Sequence, residues 1–337
     1  MTGTPKITVG IPTFNRAPWL VQSISSVLTQ TFTDFRLIVS DNASDDDTYD
    51  VVRGFDDARI EYTRSERNIG AIANINRLIA LADSEFLVIL PDDDLLYSGH
   101  LQANVALMDR YPTVGLGHSA FDVIDAQSKV VRQMRPIRSK APVSIERRDR
   151  ALERLMLSTW PVCFSSVMYR TEAILKAGVF EEGDEAFGDL RLWMRIAASW
   201  DFGYIAKPLT GFRVHSESLT TSLGPGQDAE DAERALKLTF AQGRFEQRTR
   251  FLDDTELEPQ LAEWLRSLAA IELLAEQGDV APPWPRALVR AARIAATSPR
   301  ILRRRAFWLV VLRVEFLRLR FVRVGERVRS LFWVVKV

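Results

Sequence analysis

The sequence predicts an α/β fold on a mostly parallel sheet, from three observations. Short apolar runs alternate with stretches of helical periodicity through residues 7–90. Each run stops at a polar cluster, at residues 13–16, 41–47, 64–68 and 92–94. The last cluster is three adjacent carboxylates, Asp92, Asp93 and Asp94, directly after the apolar run 86–90. Strands alternating with helices form a parallel sheet, and such sheets collect ligands beyond the carboxyl ends of their strands. One polar loop is ordinary. Four at the same edge mark that edge as the candidate site.

The elements follow in order. Residues 7–11 are a strand, ended by Pro12. Residues 17–30 carry Trp19, Leu20, Ile24, Val27 and Leu28 at helical spacing. A second strand over 35–40 stops at the Asp- and Asn-rich stretch 41–47, and 48–55 is a short helix. A third strand spans 59–63. Asn68-Ile69-Gly70 opens a helix with Ile72, Ile75, Leu78 and Ile79 on one face. The fourth strand is 86–90. Residues 112–142 are strand-like and less regular, 145–157 a helix, 162–169 a strand, 171–177 a short helix, 189–199 a helix with Leu192, Trp193 and Ile196 inward, and 203–206 a short strand. Ser-Leu-Gly-Pro-Gly-Gln at 222–227 is a linker by composition, and the sequence beyond is helical to the end.

The 337 residues are 47% hydrophobic, enough for a large core. The expected organisation is a domain over 1–222, a helical region over 223–280 and a basic amphipathic tail over 281–337. Cys163 is the single cysteine, which excludes an internal disulfide. No apolar run approaches a membrane span, and no secretory leader precedes the first strand, so a cytoplasmic protein is expected. The net charge of zero hides an asymmetry. Residues 281–337 hold thirteen Arg and one Lys against two Glu, a net of +12, so residues 1–280 carry −12. Such a split points to different jobs along the chain.

Adjacent carboxylates at a strand end repel one another, and a divalent cation turns that repulsion into attraction. Oxygen donors suit hard ions, so Mg²⁺ or Mn²⁺ is the expected guest, with coordination positions left for phosphate. Other chemistries lack their signatures: there is no G-x-S-x-G elbow, no G-x-G-x-x-G after the first strand and no P-loop.

Taken together, several ordered pieces resemble the inverting family 2 glycosyltransferases with a GT-A fold. They are Val-Gly-Ile-Pro-Thr-Phe-Asn-Arg at 9–16, Val-Ser-Asp-Asn-Ala-Ser-Asp-Asp at 39–46, Arg-Asn-Ile-Gly at 67–70, Leu-Pro-Asp-Asp-Asp-Leu-Leu at 90–96, Gly-Asp-Leu-Arg-Leu-Trp-Met-Arg at 188–195 and Gly-Phe-Arg-Val-His at 211–215. The resemblance covers about residues 7–220 and leaves a helical C-terminal extension outside it. It implies a nucleotide-sugar donor, UDP- or dTDP-linked. Pro12, Thr13 and Asn15 would line the base and ribose pocket, Asp41 would accept from a pyrimidine N–H, and Arg67 and Asp93 would approach the donor. Asp92 and Asp94 match the D-x-D pair that holds the metal on the diphosphate. Asp189 would be the general base, where the family has Glu-Asp and this chain has Gly188-Asp189. Asp189 also fits a helix cap, and Asp184 and Glu185 are rivals for the role. His215 resembles the end of the family's Arg-x-His loop, which implies a diphosphate or metal contact, against a purely structural histidine. His100 and His118 read as surface or packing residues.

In this fold Trp160 would face the acceptor, where aromatic rings stack on sugars; a core tryptophan is the other reading. The tail combines Arg with Phe307, Trp308, Phe316, Phe321, Phe332 and Trp333. That composition suits a helix lying on an anionic membrane. The alternatives are packing on the acidic body or on a second copy as an oligomer; nucleic acid is not an expected partner. The resulting expectation is a metal-dependent transferase on the inner membrane face, acting on a lipid-linked glycan. Two rivals are a catalytically silent nucleotide-binding scaffold of the same fold and a sugar-nucleotide pyrophosphorylase, whose Gly-rich loop is missing.

Overall fold

The computed structural model describes residues 3–137, 139–157, 162–181 and 188–215. The expected boundaries near 222 and 280, the linker and the tail lie outside these residues, as do Trp160, Asp184 and Glu185.

The first half alternates as the periodicity requires. Strands β1 (Ile7–Thr13), β2 (Phe35–Asp41), β3 (Ile60–Arg64) and β4 (Phe86–Ile89) are linked through helices α1 (Ala17–Leu28), α2 (Thr48–Arg53) and α3 (Ala71–Leu81). β1 lies between β2 and β4, parallel to both, with β3 outside β2. Ile7, Val9 and Ile11 are fully buried and join Leu20, Ile24 and Val27 of α1 in the core. Alternation along β1 turns Gly10 to the other face, where a Cβ would sit 2.9 Å from Leu78 Cδ2 of α3. α3 opens at Gly70, whose φ of 87° favours glycine.

The second half is mixed. It comprises β5 (Leu95–Leu96), α4 (His100–Arg110), β6 (Val114–Ile124), β7 (Val130–Met134), β8 (Val143–Glu146), α5 (Arg148–Leu157), a 3-10 turn (Phe164–Ser166), β9 (Met168–Arg170), α6 (Thr171–Ala177), α7 (Gly188–Ala197) and β10 (Asp201–Arg213). These strands extend the same sheet in the order β3-β2-β1-β4-β9-β6-β10-β5, with β7 beside β6 and β8 beside β10. β9 is antiparallel to both β4 and β6 and joins the halves. β6 and β10 run parallel to each other. Among the described residues no helix is long and apolar enough to cross a membrane.

Four elements depart from the sequence reading. The helix expected over 145–157 starts only at Arg148, whose N–H meets the Asp201 carboxylate at 2.9 Å. The residues before it form β8 against β10. The strand expected over 162–169 is confined to β9, because Ser166 bends back to the Cys163 carbonyl through its hydroxyl at 2.7 Å and its N–H at 3.0 Å. Such local bonds compete with a ladder. β10 is far longer than expected, continuing past Pro208 through register shifts that absorb the missing donor. α4 was not expected. Its buried Leu101, Val105 and Met108 are spaced for a helix, but Asn104 and His100 are buried with them and blur the pattern.

Candidate active site

The parallel register brings the first two strand ends together. Thr13 pairs with Asp41, and Asp41 with Arg64. The Asp41 side chain is fully buried. Its Oδ1 accepts the Ser44 N–H at 2.8 Å and its Oδ2 the Tyr62 hydroxyl at 2.5 Å, with Arg64 Nη1 3.6 Å away. Burial, together with that carboxylate, pushes the Tyr62 phenol up to about 12. Asp41 thus braces the loop that follows β2. Asn15, at a left-handed φ of 54°, ties into the same loop: its N–H donates to Ser44 Oγ at 2.9 Å and its Oδ1 accepts the Asp45 N–H at 2.9 Å. Asp46 accepts the Ala17 N–H at 3.0 Å, at the start of α1. Burial works to raise the Asp46 carboxyl, but the Thr48 hydroxyl and backbone donors outweigh it and hold it low.

Asn42 continues the rim. Its Oδ1 accepts the Ile69 N–H and its Nδ2 donates to Asn68 Oδ1, both at 2.8 Å. The Arg-Asn-Ile-Gly segment is therefore anchored on β2. Arg67 within it is exposed, and among the described residues its side chain makes no bond or ion pair. Pro12 is half-buried at the end of β1.

The acidic run lies in the connection from β4 to β5. The Ser23 hydroxyl of α1 reaches the carbonyls of Asp92 and Asp94, each at 2.8 Å. Asp94 is buried: its Oδ1 accepts the Arg213 N–H at 2.7 Å and its Oδ2 the Ser165 hydroxyl. Burial and the neighbouring Asp93 push its carboxyl well up, against the pull of Ser165 and Arg213. Asp92 is raised to about 7 by burial and by Asp93, with Thr13, Arg16 and the Phe14 N–H opposing. Asp93 faces His215, with Oδ2 3.1 Å from Nε2, and Arg16 Nη1 stands 3.4 Å from both. His215 stacks on Trp19 of α1 with ring centroids 4.8 Å apart, and Arg213 lies over the same indole at 4.8 Å.

Arg213, part of the Gly-Phe-Arg-Val-His motif but given no role from sequence, is the hub. Its guanidinium is almost fully buried, donating to Asp93 O at 2.7 Å, Asp125 O at 3.0 Å, Ala126 O at 3.3 Å, Ser128 Oγ at 3.0 Å and Gln22 Oε1 at 2.9 Å. Ser23 and Ser165 were missed too. Ser23 had a legible signal, a polar residue on the buried stripe Leu20, Ile24, Val27. Ser165 had none, since it meets Asp94 only through the tertiary fold. Asp189 sits half-buried in the first turn of α7, where its Oδ1 accepts the Leu190 N–H at 2.7 Å. Its charge acts on Tyr169 of β9, the strand paired to β4.

Among the described residues no three His, Cys, Asp or Glu side chains form a ready metal cage. The donors present still fit a hard ion. A cation relieves the burial and mutual repulsion that push such crowded carboxyls up, and Mg²⁺ uses one or two carboxylates with phosphate oxygens rather than a full protein cage.

Comparison with known proteins identifies the family and the fold. A family model described as "Glycosyl transferase family 2" matches residues 8–176. The GalNAc(5)-diNAcBac-PP-undecaprenol beta-1,3-glucosyltransferase of Campylobacter jejuni is 43% identical over 100 residues, 29% of this chain and 32% of the relative. The crystal structure of S. aureus TarS 1-349 with UDP-GlcNAc superposes with a TM-score of 0.58 at 18% identity, covering 79% of this chain and 72% of that one. The mannosyltransferase PcManGT from Pyrobaculum calidifontis, in complex with GDP-Man and Mn²⁺, does so with a TM-score of 0.50 at 18% identity over 92% and 86%. The chain spans about a third of the length of the first curated relatives it matches. With the family model covering half of the chain, the mixed sheet matching solved GT-A structures and the acidic run at its strand ends, this chain belongs to glycosyl transferase family 2 and has the GT-A fold.

Proposed function

We propose that this protein is a metal-dependent inverting glycosyltransferase that moves a sugar from a nucleotide-sugar donor to a lipid-linked glycan acceptor. The observation that carries the reading is the acidic run 92–94 wedged between Thr13, Arg16 and His215, with two of its carboxyls raised.

On this reading the nucleoside sits over the ends of β1 and β2. Thr13, Asn15 and Pro12 line the base and ribose, and Arg67, exposed and uncommitted, approaches the nucleotide. Asp41 reads the base only if an incoming N–H replaces the Tyr62 hydroxyl on Oδ2. A bound Mg²⁺ or Mn²⁺ would be held by Asp92 and Asp94 and would supply charge for the departing diphosphate. Asp94 serves there at the cost of its bond to Ser165. Asp93 fixes His215 and Arg16, which add positive and donor groups beside the phosphates. Asp189 takes the proton from the acceptor hydroxyl. That oxygen bonds to the anomeric carbon as the bond from carbon to the diphosphate oxygen breaks, leaving a nucleoside diphosphate. The donor is a UDP- or dTDP-sugar, and UDP-GlcNAc in the TarS structure supports a uridine donor. The undecaprenol-linked substrate in the Campylobacter relative's name supports a lipid-linked acceptor. The basic tail then keeps the enzyme on the anionic inner face of the membrane.

The test is release of nucleoside diphosphate from a panel of nucleotide sugars, with an undecaprenyl-diphosphate glycan as acceptor, with Mn²⁺ and with chelator. Metal-dependent release requiring the acceptor supports the reading. Donor binding without turnover under any metal would favour a nucleotide-binding scaffold.

A further inference from the structure

We propose that the hairpin of β6 and β7 is a contact surface for a bilayer of anionic phospholipids. Residues 129–150 hold eight Lys and Arg against Glu146 and Asp149, inside a region, 1–280, whose net charge is −12. Lys129, Arg132 and Arg135 are exposed, and among the described residues their side chains make no hydrogen bond or ion pair. The register places Val130 opposite Ile124 and Arg132 opposite Val123, so Val131 is an unpaired bulge residue. Val130 is 44% and Val131 59% exposed. Neighbouring outward valines among uncommitted cations match the two halves of a lipid surface, anionic headgroups over an apolar boundary. A charged edge strand can serve only to block edge pairing, but that job does not call for outward valines. Nucleic acid is the weaker partner, because residues 129–135 offer no aromatic ring for base stacking.

The hairpin is also fixed in relation to the site. Arg213 holds its tip through Asp125 O, Ala126 O and Ser128 Oγ, and through Nε holds the Asp93 carbonyl. A bilayer against Val130 and Val131 therefore lies beside the acidic run. The consequence, delivery of a membrane-bound acceptor to that run, rests on the proposed function; the contact itself does not.

The experiment uses the full chain with Val131→Cys carrying an environment-sensitive fluorophore. Cys163 is 3% exposed and stays unlabelled in the folded protein. Asp56→Cys, on the loop before β3, carries the reference label. Vesicles of phosphatidylglycerol and phosphatidylcholine should shift the emission of the 131 label to the blue and leave the 56 label unchanged. Phosphatidylcholine alone should shift neither label. Salt at about 1 M, where the screening length is ~3 Å, should reverse the shift. Replacing Lys129, Arg132 and Arg135 by Gln should weaken vesicle affinity about fivefold for each residue. A silent 131 label on a chain that sediments with vesicles would assign membrane binding elsewhere and overturn the proposal. So would an equal response to neutral vesicles, or a response to duplex DNA in place of vesicles. Melting shifts with a nucleotide sugar, read separately, report on the donor site, so failure of one reading is visible without the other.

Discussion

Asp94 shows how far single residues could be read from the chain. The Asp92–Asp94 run, Thr13, Asn15 and His215 were legible because their chemistry is compressed into short motifs at strand ends, and the fold brings Thr13, the three aspartates and His215 together. What holds them was not legible. Arg213 and Ser165 reach the acidic run from 119 and 71 residues away; the Arg-x-His motif marks the segment of the first without its bonds, and no local pattern encodes the meeting of the second. The two oxygens of Asp94 make different bonds, and an amide reproduces one of them as acceptor toward the Arg213 N–H. Asp94→Asn should therefore fold as well as the parent or slightly better, since a buried carboxylate next to Asp93 is neutralised, while transfer is largely lost. Parent-level turnover in that variant, measured with saturating Mn²⁺, would remove Asp94 from the metal site. Asp189→Asn should lower turnover by roughly 10² to 10⁴ and leave donor binding within a few-fold, because a general base acts on the acceptor. Unchanged turnover in this variant would pass the role to a rival such as Asp184.

Among the elements, the periodic ones were legible and the ones shaped by their partners were not. α1 and α3 carry an apolar stripe that states their face. β10 carries Pro208 and two bulges, so only its sheet neighbours reveal its length. Glycines on the strands make the same point through packing. A Cβ on Gly115 of β6 would lie 2.5 Å from Trp200 Cβ and 3.0 Å from Ala173 Cβ, atoms fixed to their backbones. The atoms nearest a Cβ on Gly10 all belong to the end of the Leu78 side chain, which can turn away. Gly115→Ala should therefore destabilise the protein by about 1–3 kcal/mol, the usual cost of overpacking, and clearly more than Gly10→Ala. Urea midpoints of the two variants measure this. Equal midpoints would mean that α6 and the Trp200 turn yield more easily than a rigid contact allows.

At the scale of the molecule, the sequence stated its charge balance but not the pH response, which depends on where burial places each titrating group. His100 is fully buried and pushed down to about 4, and burial with the Arg154 charge drives His118 well below its ordinary value. Both are neutral in the fold and take up protons on unfolding, so their effect is to lose stability as pH falls from about 6.5. For His100 alone the loss approaches about 3 kcal/mol near pH 4. Asp92 and Asp94 act in the opposite sense. Their carboxyls are raised in the fold, so their contribution is fully present below about pH 3.8 and is lost as pH rises, through about 7 for Asp92. At pH 8 the Asp92 carboxyl is mostly ionised, and at pH 5.5 it holds a proton that a metal must displace. Mn²⁺ should then raise the melting temperature more at pH 8 than at pH 5.5, since a ligand stabilises according to its affinity for the folded form. Melts in Mn²⁺ and in chelator at the two pH values, with Asp94→Asn alongside, decide it. An equal rise at both pH values, or the same rise in the variant, would place the bound cation away from the acidic run.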